Sequence, residues 1–262
     1  MPHGVSWFSF LPGFESLEHW LQGVMGASFY QKVPIHAQHV VAALFVFLCV
    51  IFFASIARAA LARRGDSVLP DEKLTARNFF EIFLEAAYTL MKDIIGPQAH
   101  RYFPLIGALA VFIFFSNMLG QIPGLLPPTQ NLNTTAACAL TVFLSYHWIG
   151  ARGQGFFKYF GHMANPMGAW WGWLLAPLMF PIEMISHLAR PMSLSLRLMG
   201  NMTGDHVLLG IFLGLVPCVV PIPFQILGLL VAVVQTLVFC LLSTVYISLA
   251  LAHEEEGHGH EH

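Results

Sequence analysis

Five polar side chains, Glu183, His187, Arg190, Arg197 and Asn201, recur at steps of three, four or seven residues inside an otherwise apolar tract. If the segment is helical, that spacing places them near one face, with Ser186 and Ser193 close by. Between Pro166 and Ile247 the only Lys or Arg residues are Arg190 and Arg197. A guanidinium stays protonated in a protein, and placing one at membrane depth costs about 2.5 to 3.5 kcal/mol on insertion scales. The row must therefore face protein or water and not lipid. Asp205 and His206 form a second titratable pair about two turns beyond Arg197. Gln235 is the strongly hydrogen-bonding group in the middle of the last apolar run, where an amide can bond across a helix interface. Two polar regions result, one with Glu183, His187 and Ser193, the other with Asn201, Asp205 and His206. A permanent positive charge stands between them. A proton can enter either region, but the arginine cannot relay it.

Each residue also has a plainer reading. Arg197 could be tied to a carbonyl or to Asp205 within the chain. Glu183 could partner Arg190, seven residues on, as readily as carry a proton. His206 could be a satisfied interior histidine, although an ordinary pKa near about 6.5 suits proton exchange. Arg190 suits structural or electrostatic support, and Asn117 and Asn131 suit hydrogen bonding in a helical hairpin.

The elements that must hold these groups are apolar and long. Of the 262 residues, 56% are apolar and only 10% charged, against about 25% charged in soluble domains. A polytopic, all-α membrane protein of about five crossing units follows, with no segment able to form a soluble module. Residues 1–39 have no basic region ahead of an apolar run and do not read as a signal peptide. Residues 40–252 form the membrane domain. Its first helix spans 40–62, and an amphipathic surface helix spans 71–95, with Phe83, Ala87, Leu90 and Ile94 along its apolar face. A hairpin spans 103–119 and 134–150 around a turn rich in glycine and proline. Two long polar-striped helices span 166–216 and 222–252. Pro181 and Pro191 predict kinks or breaks in the first of these, and Pro191 frees the backbone carbonyl of His187. The 166–216 segment crosses once if slanted and twice if folded back.

Seven basic residues lie between Arg58 and Arg101, and Arg152 and Lys158 follow the third run. The positive-inside rule puts those loops in the cytoplasm and the N-terminus outside. A single crossing of 166–216 then puts the C-terminus in the cytoplasm.

Cys49, Cys138, Cys218 and Cys240 are isolated in apolar sequence and read as packing residues, with no disulfide framework or zinc spacing. The tail, residues 253–262, is rich in His and Glu, but Gly257 stands where an HExxH site needs its second histidine. A solvated tail and no metal site are expected. No phosphate-binding loop occurs, so no nucleotide cofactor is expected on this chain.

Pro191-Met-Ser-Leu-Ser-Leu-Arg-Leu-Met-Gly-Asn-Met-Thr-Gly-Asp-His206 closely resembles the signature of subunit a of F-type ATP synthases. Phe114-Phe-Ser-Asn-Met-Leu-Gly-Gln-Ile-Pro123, Asn131-Leu-Asn-Thr-Thr135 and Val234-Gln-Thr-Leu-Val-Phe239 are similar to their family counterparts, in the same order from about Val40 to Ala252. The resemblance implies a non-catalytic, proton-translocating stator without cofactors, packed against a ring of c subunits that each bear a mid-membrane carboxylate. It also implies peripheral-stalk b subunits, an ATPase sector engaged indirectly, and an energy-transducing membrane such as the bacterial inner membrane. Arg197 would face the ring with Gln235 as its helix-to-helix partner. Asn201, Asp205, His206 and Gln235 would line the outer path. Glu183, His187 and Ser193 would line the cytoplasmic path, supported by Arg190. The chain departs from the pattern at Gly228, seven residues before Gln235. Members with histidine at the place of His206 can carry an acid there.

Two other readings are possible. A stand-alone ion-coupled transporter, with Arg197 binding an anionic substrate, predicts inverted repeats, and none is evident. An intramembrane metalloenzyme needs ligand spacing that His147, His187 and His206 lack. Nothing suggests a nucleic-acid partner.

Overall fold

The structure is a computed structural model that describes residues 7, 13–25, 38–63, 76–122, 124–155, 161, 172–215 and 221–258. The described residues are helical, without strands. The helices are α1 (Phe14–Met25), α2 (Gln38–Arg63), α3 (Ala76–Ile95), α4 (Ala99–Leu119), α5 (Leu132–Gln154), α6 (Gly172–Leu215) and α7 (Pro221–His258). Residues 71–75, 166–171 and 259–262, and the side chains of 253–258, lie outside the described residues.

Among the described residues three stretches are long and apolar enough to cross a membrane: Gln38–Ile56, Glu81–Leu119 and Pro221–Leu251, with mean hydropathies of 2.7, 1.9 and 2.5. Helices α5 and α6 complete the all-α bundle, and their Ser, Thr, His and charged residues lower their hydropathy. The chain is thus an all-helical, polytopic membrane protein. Helix α2 buries only 11% of its apolar window. Leu44, Phe47, Leu48 and Phe52 point outward from it, as acyl chains require of a helix at the edge of a bundle.

Helix α6 runs for 44 residues without interruption through Pro177, Pro181 and Pro191. Of the kinks or breaks expected at Pro181 and Pro191, no break occurs. Each proline removes one backbone donor, but the bonds of neighbouring turns remain, and the helix continues past it. At about 1.5 Å per residue it is about 66 Å long, about twice the roughly 30 Å hydrocarbon core, too long to stand upright within it. No turn folds it back within the described residues.

The core lies where α4, α5 and α7 meet, with α3 laid over them. Met91, Ala99, Ile106, Ala110, Tyr146 and Ile247 are buried together. Helix α3 contributes Ala87 and Met91 to the interior, packs Phe83 on Phe114 with ring centroids 4.9 Å apart, and exposes Glu85, Lys92 and Asp93. Helix α6 joins a second cluster through Leu194 and Leu198, against Ile113, Val142 and Phe239. Two buried threonines of this interior bond along their own helix, whereas Ser116 Oγ and Ser243 Oγ are buried without a hydrogen-bond partner among the described residues. Thr236 Oγ1 donates to the carbonyl of Ala232 and Thr244 Oγ1 to that of Cys240, at 2.8 and 2.7 Å. Cys49, Cys138 and Cys240 are free thiols, and Cys218 lies outside the described residues.

Asn117 and Asn131 both serve the α4–α5 hairpin. Asn117 Oδ1 accepts from Thr129 Oγ1 at 2.8 Å, both residues fully buried. Asn131 caps α5, its Oδ1 accepting from the backbone N–H of Asn133 at 2.9 Å. Asn131→Ala is expected to cost about 1 kcal/mol through loss of that cap, read as a lowered thermal unfolding midpoint of the detergent-solubilised protein with its helix content unchanged.

Candidate functional site

Helix α6 has two faces with opposite duties. His187, Leu194, Leu198 and Met202 are buried against the bundle, whereas Ser193, Leu196, Arg197, Gly200, Asn201 and Gly204 are exposed. A cation thus stands on an outward surface of Ile185, Met192, Leu196, Val207 and Ile211. Among the described residues no carboxylate lies within ion-pair distance of Arg197, and Asp205 is engaged elsewhere. Gln235 is buried on α7 and bonds one turn from the arginine: its Oε1 accepts from Asn201 Nδ2 at 2.6 Å. The structure therefore pairs Gln235 with Asn201.

On one side of Arg197, Asp205 and His206 meet the end of α4. Gln121 Nε2 donates to Asp205 Oδ2 at 3.3 Å. His206 Nε2 is buried without a hydrogen-bond partner and faces Gly120, where an added Cβ would lie 2.8 Å from it. A small cleft opens here between Gly120, Gln121, Asp205, His206, Leu209 and Phe224. Phe212 stacks on Phe224 at 4.1 Å and pins α6 to α7 beside it. Gly228 of α7 completes the cluster. A Cβ at 228 would press on Asp205 Oδ2 and come within 2.6 Å of Gln121 Oε1. The space that an acidic side chain on α7 would take is already filled by the Asp205 carboxylate.

On the other side, Glu183 Oε1 lies 3.3 Å from His187 Nε2. The Nδ1 of His187 lies 3.0 Å from the Tyr146 hydroxyl of α5. His147 packs beside His187 with ring centroids 5.1 Å apart. The Arg190 guanidinium rests 5.7 Å from the centroid of the Tyr246 ring of α7, a cation–π distance. Ser193 does not join this cluster. At 100° per residue it lies about 120° around the helix from His187, on the side that carries Arg197.

Four helices, α4 to α7, thus hold two polar clusters, with one outward-facing cation between them on α6. His187 and His206 are ten and nine residues from Arg197, so the clusters lie about 14 to 15 Å away along the axis. The family model described as ATP synthase A chain matches residues 39–248, which include every one of these positions. The chain belongs to that family. It is 49% identical to ATP synthase subunit a of Sorangium cellulosum over 83% of this chain and 81% of that one. Identity to ATP synthase subunit a 1 of Syntrophotalea carbinolica is 50%, over 76% of this chain and 80% of the relative. It is 41% to ATP synthase subunit a of Geobacter sulfurreducens, over 88% and 96%. Membership makes this chain a membrane component of an ATP synthase complex, with a part in ATP synthesis and proton transport.

Sequence reasoning missed Gln121, Tyr146 and Tyr246 as members of these clusters. Each stands on a helix or turn remote in sequence from the α6 stripe. The only available signal was a polar residue in an apolar run. Among the described residues no group of three His, Cys, Asp or Glu side chains could hold a metal ion.

Proposed function

We propose that this chain is the proton-translocating stator of an F-type ATP synthase, with Arg197 facing the ionisable carboxylates of a c-subunit ring. The observation that carries this reading is the exposed, carboxylate-free Arg197 on the outer face of α6, midway between two polar clusters. A ring carboxylate that approaches the guanidinium is favoured in its ionised form and releases its proton; as it leaves, it takes one up again. Because the arginine cannot deprotonate, it bars the direct route between the clusters. A proton crossing a potential of 100 mV releases about 2.3 kcal/mol, which ring rotation collects.

In this reading Asp205, His206, Asn201 and Gln235 give access from the outer side, with Gln121 as an added contact. Glu183 and His187 give access from the cytoplasm, supported by Arg190. Ser193, on the Arg197 face, borders the ring side of the cytoplasmic path. The N-terminus lies outside and the C-terminus in the cytoplasm of a bacterial inner membrane. Peripheral-stalk b subunits hold the chain against the torque, and catalysis resides in the ATPase sector. Affinity purification of the tagged chain from mild detergent tests the assembly: a c ring and ATPase subunits co-purify. A chain recovered alone that still moves an ion in liposomes would favour the transporter reading instead.

A further inference from the structure

The cytoplasmic-side cluster contains a contact with no place in the two-path scheme. Tyr146 of α5 is 2% exposed. Its ring is held edge-on by Phe143 at 5.5 Å and by His147 at 4.3 Å, so its hydroxyl has a fixed position. That hydroxyl meets His187 Nδ1 at 3.0 Å, and the opposite ring nitrogen meets Glu183 at 3.3 Å. In a neutral imidazole one nitrogen donates and the other accepts. A carboxylate only accepts, so Nε2 carries the proton toward Glu183 and Nδ1 accepts from the tyrosine. The carboxylate end of the chain is the open end: Glu183 keeps 42% of its side chain exposed, His187 only 11%.

We propose that Tyr146 is a positioning residue for proton entry on the cytoplasmic side, fixing the orientation of the His187 ring so that its Nε2–H holds the Glu183 carboxylate at the mouth of the path. The inference rests on the reading of Glu183 as the cytoplasmic proton carrier. Without the hydroxyl the imidazole loses one of the two bonds that orient it, and its Nε2–H holds the Glu183 carboxylate less firmly. Helix α5 thereby takes part in proton transfer.

The test is passive proton conductance in vesicles carrying the assembled complex, stripped of the ATPase sector and normalised to c ring co-purified with this chain. Tyr146→Phe removes one oxygen and keeps the packed ring. It is expected to lower conductance roughly two- to tenfold, the worth of one buried hydrogen bond. His187→Leu, which breaks the same chain at its middle, should match it. In a Glu183→Gln background, Tyr146→Phe should cause no further loss, because its effect passes through that carboxylate. An equal fractional loss in both backgrounds would assign Tyr146 to packing and overturn the inference, as would full conductance in Tyr146→Phe where Glu183→Gln is impaired. Full conductance in Glu183→Gln itself would remove Glu183 from the path, and the underlying reading would fall with the inference.

Discussion

Arg197→Ala is expected to abolish ATP-driven proton uptake into inverted membrane vesicles while the complex still assembles with its ring. A cation a few ångströms from a carboxylate lowers the carboxylate pKa by about one to three units, so its removal reduces the ionised fraction at the interface roughly ten- to a thousandfold. The ring acid then stays protonated where it should discharge. The barrier between the clusters disappears as well, so passive leak through the stripped membrane sector should rise. Arg197→Lys separates the two effects. It keeps the charge, but an ammonium at membrane depth can lose its proton, so coupling should stay well below wild type. Assembly is spared in both variants because the side chain lies outside the core and has no carboxylate partner among the described residues. A fluorescence-quench assay of proton uptake, paired with quantification of co-purified ring, reads both quantities.

Gly228→Asp is expected to lower coupled pumping roughly tenfold or more, because two carboxylates forced into one site cannot both ionise. The steric cause is direct: a Cβ at 228 lands on the Asp205 carboxylate and on the Gln121 amide that bonds it. The second substitution Asp205→Gly should restore much of the loss by vacating the space and moving the acid from α6 to α7. The four combinations form a double-mutant cycle in which the pair is strongly non-additive. Additive losses would mean that Asp205 and position 228 act independently, contrary to the contact between them.

The stripe on α6 was legible because charged groups at helical steps in apolar sequence have few explanations. Its division was not. Residues 183 to 201 span a wide arc of the helix. Only the neighbouring helices decide that His187 turns inward to Tyr146 while Ser193 and Arg197 turn outward. Whether α6 would kink or break at Pro181 and Pro191 was not legible for a related reason: a proline deletes one hydrogen bond locally, whereas packing of Leu194 and Leu198 against α5 and α7 acts over the whole helix. Gln235 was recognised as an interhelical hydrogen-bonder, but its contact with Asn201 depends on the rotation of α6 against α7. Gln121 carried no periodic signal, since it sits in the turn after α4 and reaches Asp205 only in the folded bundle.

The most direct test of the central claim is disulfide cross-linking between α6 and the ring in the assembled complex, which requires Cα atoms within about 7 Å. Gly200 and Gly204 lie on the Arg197 face with open space around them, and Phe52 marks the exposed face of α2 at 62% exposure. In a background with the four native cysteines replaced by alanine, Gly200→Cys and Gly204→Cys should each cross-link to a cysteine placed one turn from the ring carboxylate, and Phe52→Cys should not. Cross-links from position 52, with none from 200 or 204, would place the ring on another face and contradict the role assigned to Arg197.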